Sequence, residues 1–308
     1  MISFLKLIRY KNLLMVLLTM VLTKYALLNS LFIQIPERDY QFLILSISVL
    51  LITAGGYVIN DIFDLESDKI NKPNNVFIDN TISMKNAWKL YYLLTLTGLI
   101  LGLYLSFFEG SNSNSFYFIF IIFILFVYSK YLKKVFLIGN IAVSYCLSMV
   151  IYITYEFTSE SIIYSEHLNK FIVYKINHHD ILGPIVTYSV FAFLTSLIRE
   201  IIKDAEDING DLKLKAKTLP IIIGRNRTAM TIMFFNFILI VLVIITINLF
   251  SYEPLFLFYG IVLIILPLVY LMFKLLSAET KNDFSKLSSL MKMIMLFGIL
   301  SMLLFKFQ

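Results

Sequence analysis

The chain has 308 residues, 59% of them hydrophobic and 15% charged, with a mean hydropathy of +0.83 and a formal charge of +6. A soluble domain carries about 25% charged residues, so the composition excludes an ordinary soluble globule and points to a chain that lives in a bilayer. The positive charge sits on no soluble basic face, which excludes a nucleic-acid module. Nine apolar runs have close to the ~17–25 residues that a membrane span needs. They cover residues 13–33, 42–59, 88–108, 116–131, 135–157, 182–202, 228–250, 255–275 and 287–304. The fourth is short and can extend to Lys133. Phe107, Phe108, Tyr128 and Tyr131 fall near span ends, as an interfacial aromatic belt would. The expected fold class is therefore all-α, a polytopic membrane protein forming one domain over residues 1–308. Cys146 is the only cysteine and can form no intrachain disulfide. The segment 1–11 is basic, but the apolar run after it leads to Lys24 without a small-residue cleavage site, so no cleavable leader is expected.

The second run ends in NDIFDLESDKINKPN, residues 60–74. Asn60, Asp64 and Asp68 are spaced i, i+4, i+8, so a continuing helix places them in one stripe with Asp61 beside it. Carboxylates crowded on one face repel each other unless a cation lies among them, and hard oxygen ligands suit Mg2+. The sixth run ends the same way, in REIIKDAEDINGD, residues 199–211. Asp204, Asp207 and Asp211 again share one helical face at i, i+3, i+7. Two acidic helix ends, each closing a span, could hold two metal ions between them. The order also repeats: spans one to four carry one motif after span two, and spans five to eight carry the other after span six. This predicts two pseudo-symmetric four-helix halves plus a ninth helix.

Lysine and arginine set the expected orientation. They gather at residues 6–11, 69–89, 130–134, 199–227 and 274–292, whereas the opposite side has only Arg38, Lys170, Lys175 and Lys306. The N-terminus and both Asp motifs are thus expected in the cytoplasm, in the inner (cytoplasmic) membrane, with the C-terminus outside. The segment 158–180 falls on the outer side and reads as a loop. Its His167, His178 and His179 read as loop polar residues rather than metal ligands. Gly55 and Gly56 read as positions of close helix packing, and Gly210 as a residue that relaxes the helix through the second motif.

The paired motifs NDxxDxxxD and DxxDxxxD resemble those of the UbiA superfamily of intramembrane prenyltransferases. That resemblance implies a nine-helix bundle whose cavity opens to cytosol and lipid. It implies Mg2+ as cofactor, a prenyl diphosphate donor and a lipophilic acceptor. Asn60, Asp64, Asp68, Asp207 and Asp211 are then the candidate metal ligands, and Asp61, Asp64, Asp68, Asp204, Asp207 and Asp211 the catalytic carboxylates. Candidates for binding the diphosphate are Arg9, Asn12, Lys72, Lys133, Arg199 and Lys203. The family often continues Asn-x-Pro-x-Arg-Pro after the first motif. Asn71, Lys72 and Pro73 match, but Asn75 and Val76 stand where Arg-Pro would be, so Lys72 is expected to substitute for the arginine.

The chemistry such a site serves is ionisation of an allylic diphosphate, with aromatic faces stabilising the prenyl cation. The stretch KDAEDINGDLKLKAKTLP most resembles the branch that makes archaeal-type ether lipids by alkylating a hydroxyl of a prenylglycerol phosphate. An aromatic acceptor, as in menaquinone or ubiquinone synthesis, shares both motifs. A cation transporter also uses intramembrane acids, but it would place them near the bilayer midplane, commonly on broken helices.

Overall fold

The computed structural model describes residues 2–31, 39–73, 76–108, 114–165, 170–175, 179–250 and 254–307. Among them, eight helices are long and apolar enough to cross a membrane, and a ninth, Ser115–Lys130, is apolar but shorter. In chain order they are α1 (Tyr10–Leu28), α2 (Asp39–Asn71), α3 (Met84–Phe108), α4 (Ser115–Lys130) and α5 (Ile138–Ser159). They continue as α6 (His179–Lys213), α7 (Arg225–Phe250), α8 (Pro254–Leu276) and α9 (Lys281–Lys306). The protein is thus a helical, multi-pass membrane protein. Segment 158–180 departs from the loop expected there: β1 (Glu160–Ser165) pairs antiparallel with β2 (Lys170–Lys175). His167 and His178 lie outside the described residues, and His179 opens α6.

The helices that carry the motifs are the two longest. At ~1.5 Å per residue, the 33 residues of α2 span about 50 Å and the 35 of α6 slightly more. A bilayer core takes about 30 Å, so each helix runs on past the apolar run that crosses it and carries its motif unbroken on the extension. Each is also the second helix of its four, as the repeat predicts.

Packing follows the order of the chain. One buried cluster joins α1 to α5 around Met20, Leu45, Phe118 and Ile153. Another joins α6 to α9 around Ile201, Ile232, Leu268 and Phe284. A third ties the two groups through Leu27, Ile151, Ile185 and Met302. Lipid gives no hydrophobic drive between apolar helices, so close backbone approach and buried hydrogen bonds matter. A Cβ at Gly55 would strike Thr95 on α3, and one at Gly56 would press on Leu125 of α4. Gly98 lets α3 lie against the backbone of α2, where Ser48 Oγ donates to the Gly98 carbonyl at 2.7 Å. Buried Asn236 of α7 donates to the Leu268 carbonyl of α8 at 2.9 Å.

Candidate active site

The acidic ends of α2 and α6 come together at one end of the bundle. Asn71 makes the clasp: its Nδ2 donates to the Asp207 carbonyl at 2.9 Å, and its Oδ1 accepts from Gly210 N at 2.9 Å. The Asn71 amide lies against the Cα of Gly210, in the space that a Cβ would fill. Gly210 therefore has a role other than the expected one. The helix does not relax there, since α6 continues to Lys213; the glycine leaves room for Asn71. Lys281 Nζ donates to the Asn71 carbonyl at 2.6 Å and draws the start of α9 onto the same joint. A capping box between Thr280 and Asp283 fixes that start. Two more loops join through Lys217 N, which donates to the Lys134 carbonyl at 2.8 Å.

Behind the clasp lies a cavity of about 650 Å³. Every candidate residue lines it: Asn60, Asp61, Asp64 and Asp68 from α2; Arg199, Lys203, Asp204, Asp207 and Asp211 from α6; and Arg9, Asn12, Lys72 and Lys133 from the flanks. Its deep end is apolar, walled by Val49, Ile52, Phe118, Ile121, Val150 and Ile153. The shape is a polar mouth over an apolar shaft. Among the aromatic rings, Tyr10, Tyr57, Phe77, Phe118 and Tyr128 reach it. Tyr128 thus belongs to the cavity wall rather than to the expected belt.

Cations interleave with the carboxylates. Lys133 Nζ lies 2.5 Å from Asp64 Oδ1, a contact of charges rather than an aligned hydrogen bond. Asn60 Nδ2 donates to Asp64 Oδ2 at 2.7 Å. Lys72 Nζ donates to Asp207 Oδ2 at 2.6 Å and so crosses from the first motif to the second. Arg9 Nη2 donates to Asp61 Oδ1 at 2.7 Å and lies 5.0 Å from the centre of the Tyr57 ring. Arg9 holds a left-handed backbone, φ 52°, just before α1; such a conformation costs a non-glycine residue about 1 kcal/mol or more, and its bond to Asp61 offsets the cost. Burial alone would lower the pKa of Arg9, but Asp61 and Tyr57 hold it above the usual value. Lys72 follows the same pattern, with Asp207 outweighing burial. Lys133 does not: burial outweighs Asp64 and lowers its pKa.

The structure fits a divalent cation. Asp207 Oδ1 and Asn60 Oδ1 are buried without a hydrogen-bond partner among the described residues. Both are hard oxygen donors facing the cavity. Two helix C-termini add the negative end of their dipoles to four carboxylates. Among the described residues no three acidic or histidine side chains already converge on one point, because Lys72 and Lys133 stand between them.

Asp204 is set apart. Asn140 of α5 donates to its Oδ2 at 2.8 Å, so this carboxylate is braced by protein. Glu200 holds Lys203 at 2.6 Å and Arg199 at 3.3 Å. Asn12 accepts from Lys292 of α9 at 2.7 Å. Asn140 and Lys292 were not among the expected site residues. Each reaches the site from a helix without an acidic motif, and no local spacing marks it. Asn71 was visible only as the start of Asn-x-Pro.

Comparison with known proteins agrees with this geometry. The UbiA prenyltransferase family matches residues 13–296. A digeranylgeranylglyceryl phosphate synthase of Methanosphaera stadtmanae is 32% identical over 267 residues, covering 85% of this chain and 87% of that one. One from Saccharolobus solfataricus is 32% identical over 258 residues, covering 82% and 80%. A solved structure from work on digeranylgeranylglyceryl phosphate synthase in membranes superposes with a TM-score of 0.66 at 25% identity, covering 98% of both chains. A UbiA homologue from Archaeoglobus fulgidus bound to GPP and Mg2+ shares the fold, with a TM-score of 0.63 at 14% identity over 97% and 99% of the chains. With two acidic helix ends clasped over one cavity and a family match spanning nearly its whole length, this chain belongs to the UbiA prenyltransferase family and is a prenyltransferase.

Proposed function

We propose that the protein transfers a geranylgeranyl or similar prenyl group from its diphosphate to the hydroxyl of a prenylglycerol phosphate, forming an ether lipid. The observation that carries this reading is the polar mouth over an apolar shaft, in a chain whose relatives at 32% identity carry the name of that activity. The two motifs face the cytoplasm of the cytoplasmic membrane, where the basic loops gather.

The donor's diphosphate lies at the mouth between α2 and α6, and its prenyl chain runs down the shaft. Asn60, Asp64, Asp68, Asp207 and Asp211 would hold Mg2+, and the ion would supply charge neutralisation for the departing diphosphate. Lys72, Lys133 and Arg9 supply fixed positive charge to the same oxygens. Lys72 stands in for the arginine that the chain lacks, and its bond to Asp207 shows that it reaches the second motif. Tyr57 and Tyr128, which line the cavity, are the rings available to stabilise the allylic cation. Breaking the C1–oxygen bond releases diphosphate; the acceptor hydroxyl then bonds to C1. Its proton passes to the released diphosphate or to a carboxylate, for which Asp61 is the candidate. Continuous helices through both motifs, with the acids on their extensions, argue against a transporter, whose sites lie on broken helices at mid-membrane.

Purified protein given labelled geranylgeranyl diphosphate and Mg2+ is offered geranylgeranylglyceryl phosphate, 4-hydroxybenzoate and dihydroxynaphthoate separately. An ether product from the first alone is expected. Prenylated naphthoate or benzoate without an ether product would give the protein to quinone synthesis instead.

A further inference from the structure

A second chamber, of about 170 Å³, lies beside the main cavity among α1 and α5 to α9. Phe191, Val243, Ile264, Met295 and Phe305 are among the apolar side chains that wall it. The two spaces share one neck, where Asn12, Tyr57, Leu147, Val150, Arg199 and Lys292 line both.

Among the described residues, the cations of the neck are only partly neutralised by protein groups. Lys292 Nζ contacts Asn12 Oδ1, which belongs to an uncharged amide. Arg199 reaches Glu200 only at 3.3 Å, and Glu200 is held more closely by Lys203 at 2.6 Å. Arg199 Nε is buried without a hydrogen-bond partner among the described residues. Arg9, the other cation nearby, is already paired with Asp61. One carboxylate, Glu200, thus serves two cations, and Lys292 has no carboxylate partner among the described residues. Burying a cation without its counter-charge is costly, so the neck suits an anion that arrives with a ligand.

That anion is distinct from the donor's diphosphate. Arg199 stands eight residues before Asp207 on an unbroken helix, about 12 Å along its axis. The donor's diphosphate and C1 together with the body of a glycerol phosphate, laid end to end, can cover that distance, with the acceptor hydroxyl toward the reacting carbon and its phosphate toward the neck. We propose that the neck and the second chamber form the acceptor site. Arg199, Lys292 and Asn12 receive the phosphate monoester, and the chamber receives the stretch of prenyl chain nearest the glycerol. The inference rests on the prenylglycerol phosphate reading above. Two prenyl chains then lie in separate chambers that meet at the reacting atoms, so neither substrate blocks the other.

Gly298 of α9 allows a direct test. It lines the second chamber only, and a Cβ there meets nothing within 4 Å. In the detergent-purified full chain, Gly298→Phe is expected to raise the acceptor KM at least tenfold and to leave the donor KM within twofold. Lys292→Met is expected to raise the KM for geranylgeranylglyceryl phosphate about tenfold and to narrow its advantage over unphosphorylated geranylgeranylglycerol by the same factor. Should Gly298→Phe fail to fold, Lys292→Met decides alone. A rise in donor KM in place of acceptor KM would overturn the proposal, as would an unchanged acceptor KM. A wild type that makes no ether from the phosphate acceptor would refute the acceptor reading itself, a result separate from active wild type with unaffected variants.

Discussion

Replacing Gly210 by alanine should weaken the protein, although the same change inside an ordinary helix strengthens it by about 0.5–1 kcal/mol. The reason is Asn71, whose amide occupies the space of the missing Cβ. A methyl group there expels the amide and breaks its bonds to Gly210 N and the Asp207 carbonyl. A buried hydrogen bond contributes about 1 kcal/mol, and leaving its partner unsatisfied costs ~1–3 kcal/mol. Asn71→Ala should thus cost about 3 kcal/mol, and Gly210→Ala about 2 kcal/mol after its helix gain. The double variant should cost only about 2 kcal/mol, because the amide can be lost once and the methyl group then meets only Ser67 Oγ, 2.4 Å from its position, which a turn about χ1 moves aside. The coupling is about 3 kcal/mol, well beyond the few tenths seen for independent sites. Thermal unfolding of the four proteins in one detergent reads it as a double-mutant cycle. Additive losses would show that Asn71 and Gly210 do not form the clasp, and a stabilised Gly210→Ala would refute the packing argument outright.

Asp68→Asn and Asp211→Asn should each abolish prenyl transfer while leaving elution on size exclusion unchanged; transfer that survives EDTA treatment of the wild type would contradict the metal assignment. Lys72→Met should raise the donor KM about tenfold or more, the worth of a charge-assisted hydrogen bond, and Lys72→Arg should restore most of it. An equal defect in both would mean that Lys72 only holds Asp207 in place. For topology, single cysteines at positions 72 and 170 in a Cys146→Ser background should react differently with an impermeant thiol reagent. Labelling from outside at 170 but not at 72 is expected, and the reverse would invert the orientation.

The helices were legible because a bilayer demands long apolar runs: six of the nine lie within a helix of the structure, and the runs 13–33, 116–131 and 135–157 overlap one for most of their length. The acidic stripes were legible because helical spacing is local: Asn60, Asp64 and Asp68 share a face whatever surrounds them. The contacts that turn two stripes into one site are long-range. Asn71 reaches Gly210 across 139 positions, Asn140 reaches Asp204 across 64, and Lys292 reaches Asn12 across 280. Periodicity carries no trace of such pairs. Gly210 shows the same limit, since a glycine in a helix reads as a weak point until its neighbour is known. The strands β1 and β2 fall where the reading placed a plain loop, in a segment too short and mixed for its alternation to stand out.

That α2 and α6 together form one metal-diphosphate site is tested most directly by anomalous diffraction from crystals of the protein grown with Mn2+ and a non-ionisable thio analogue of geranylgeranyl diphosphate. Manganese peaks are expected between Asp64 and Asp68 on one side and Asp207 and Asp211 on the other, with the diphosphate bridging them and Lys72 and Lys133 moved onto its oxygens. Manganese held by one helix alone, or a diphosphate bound away from the clasp, would contradict it.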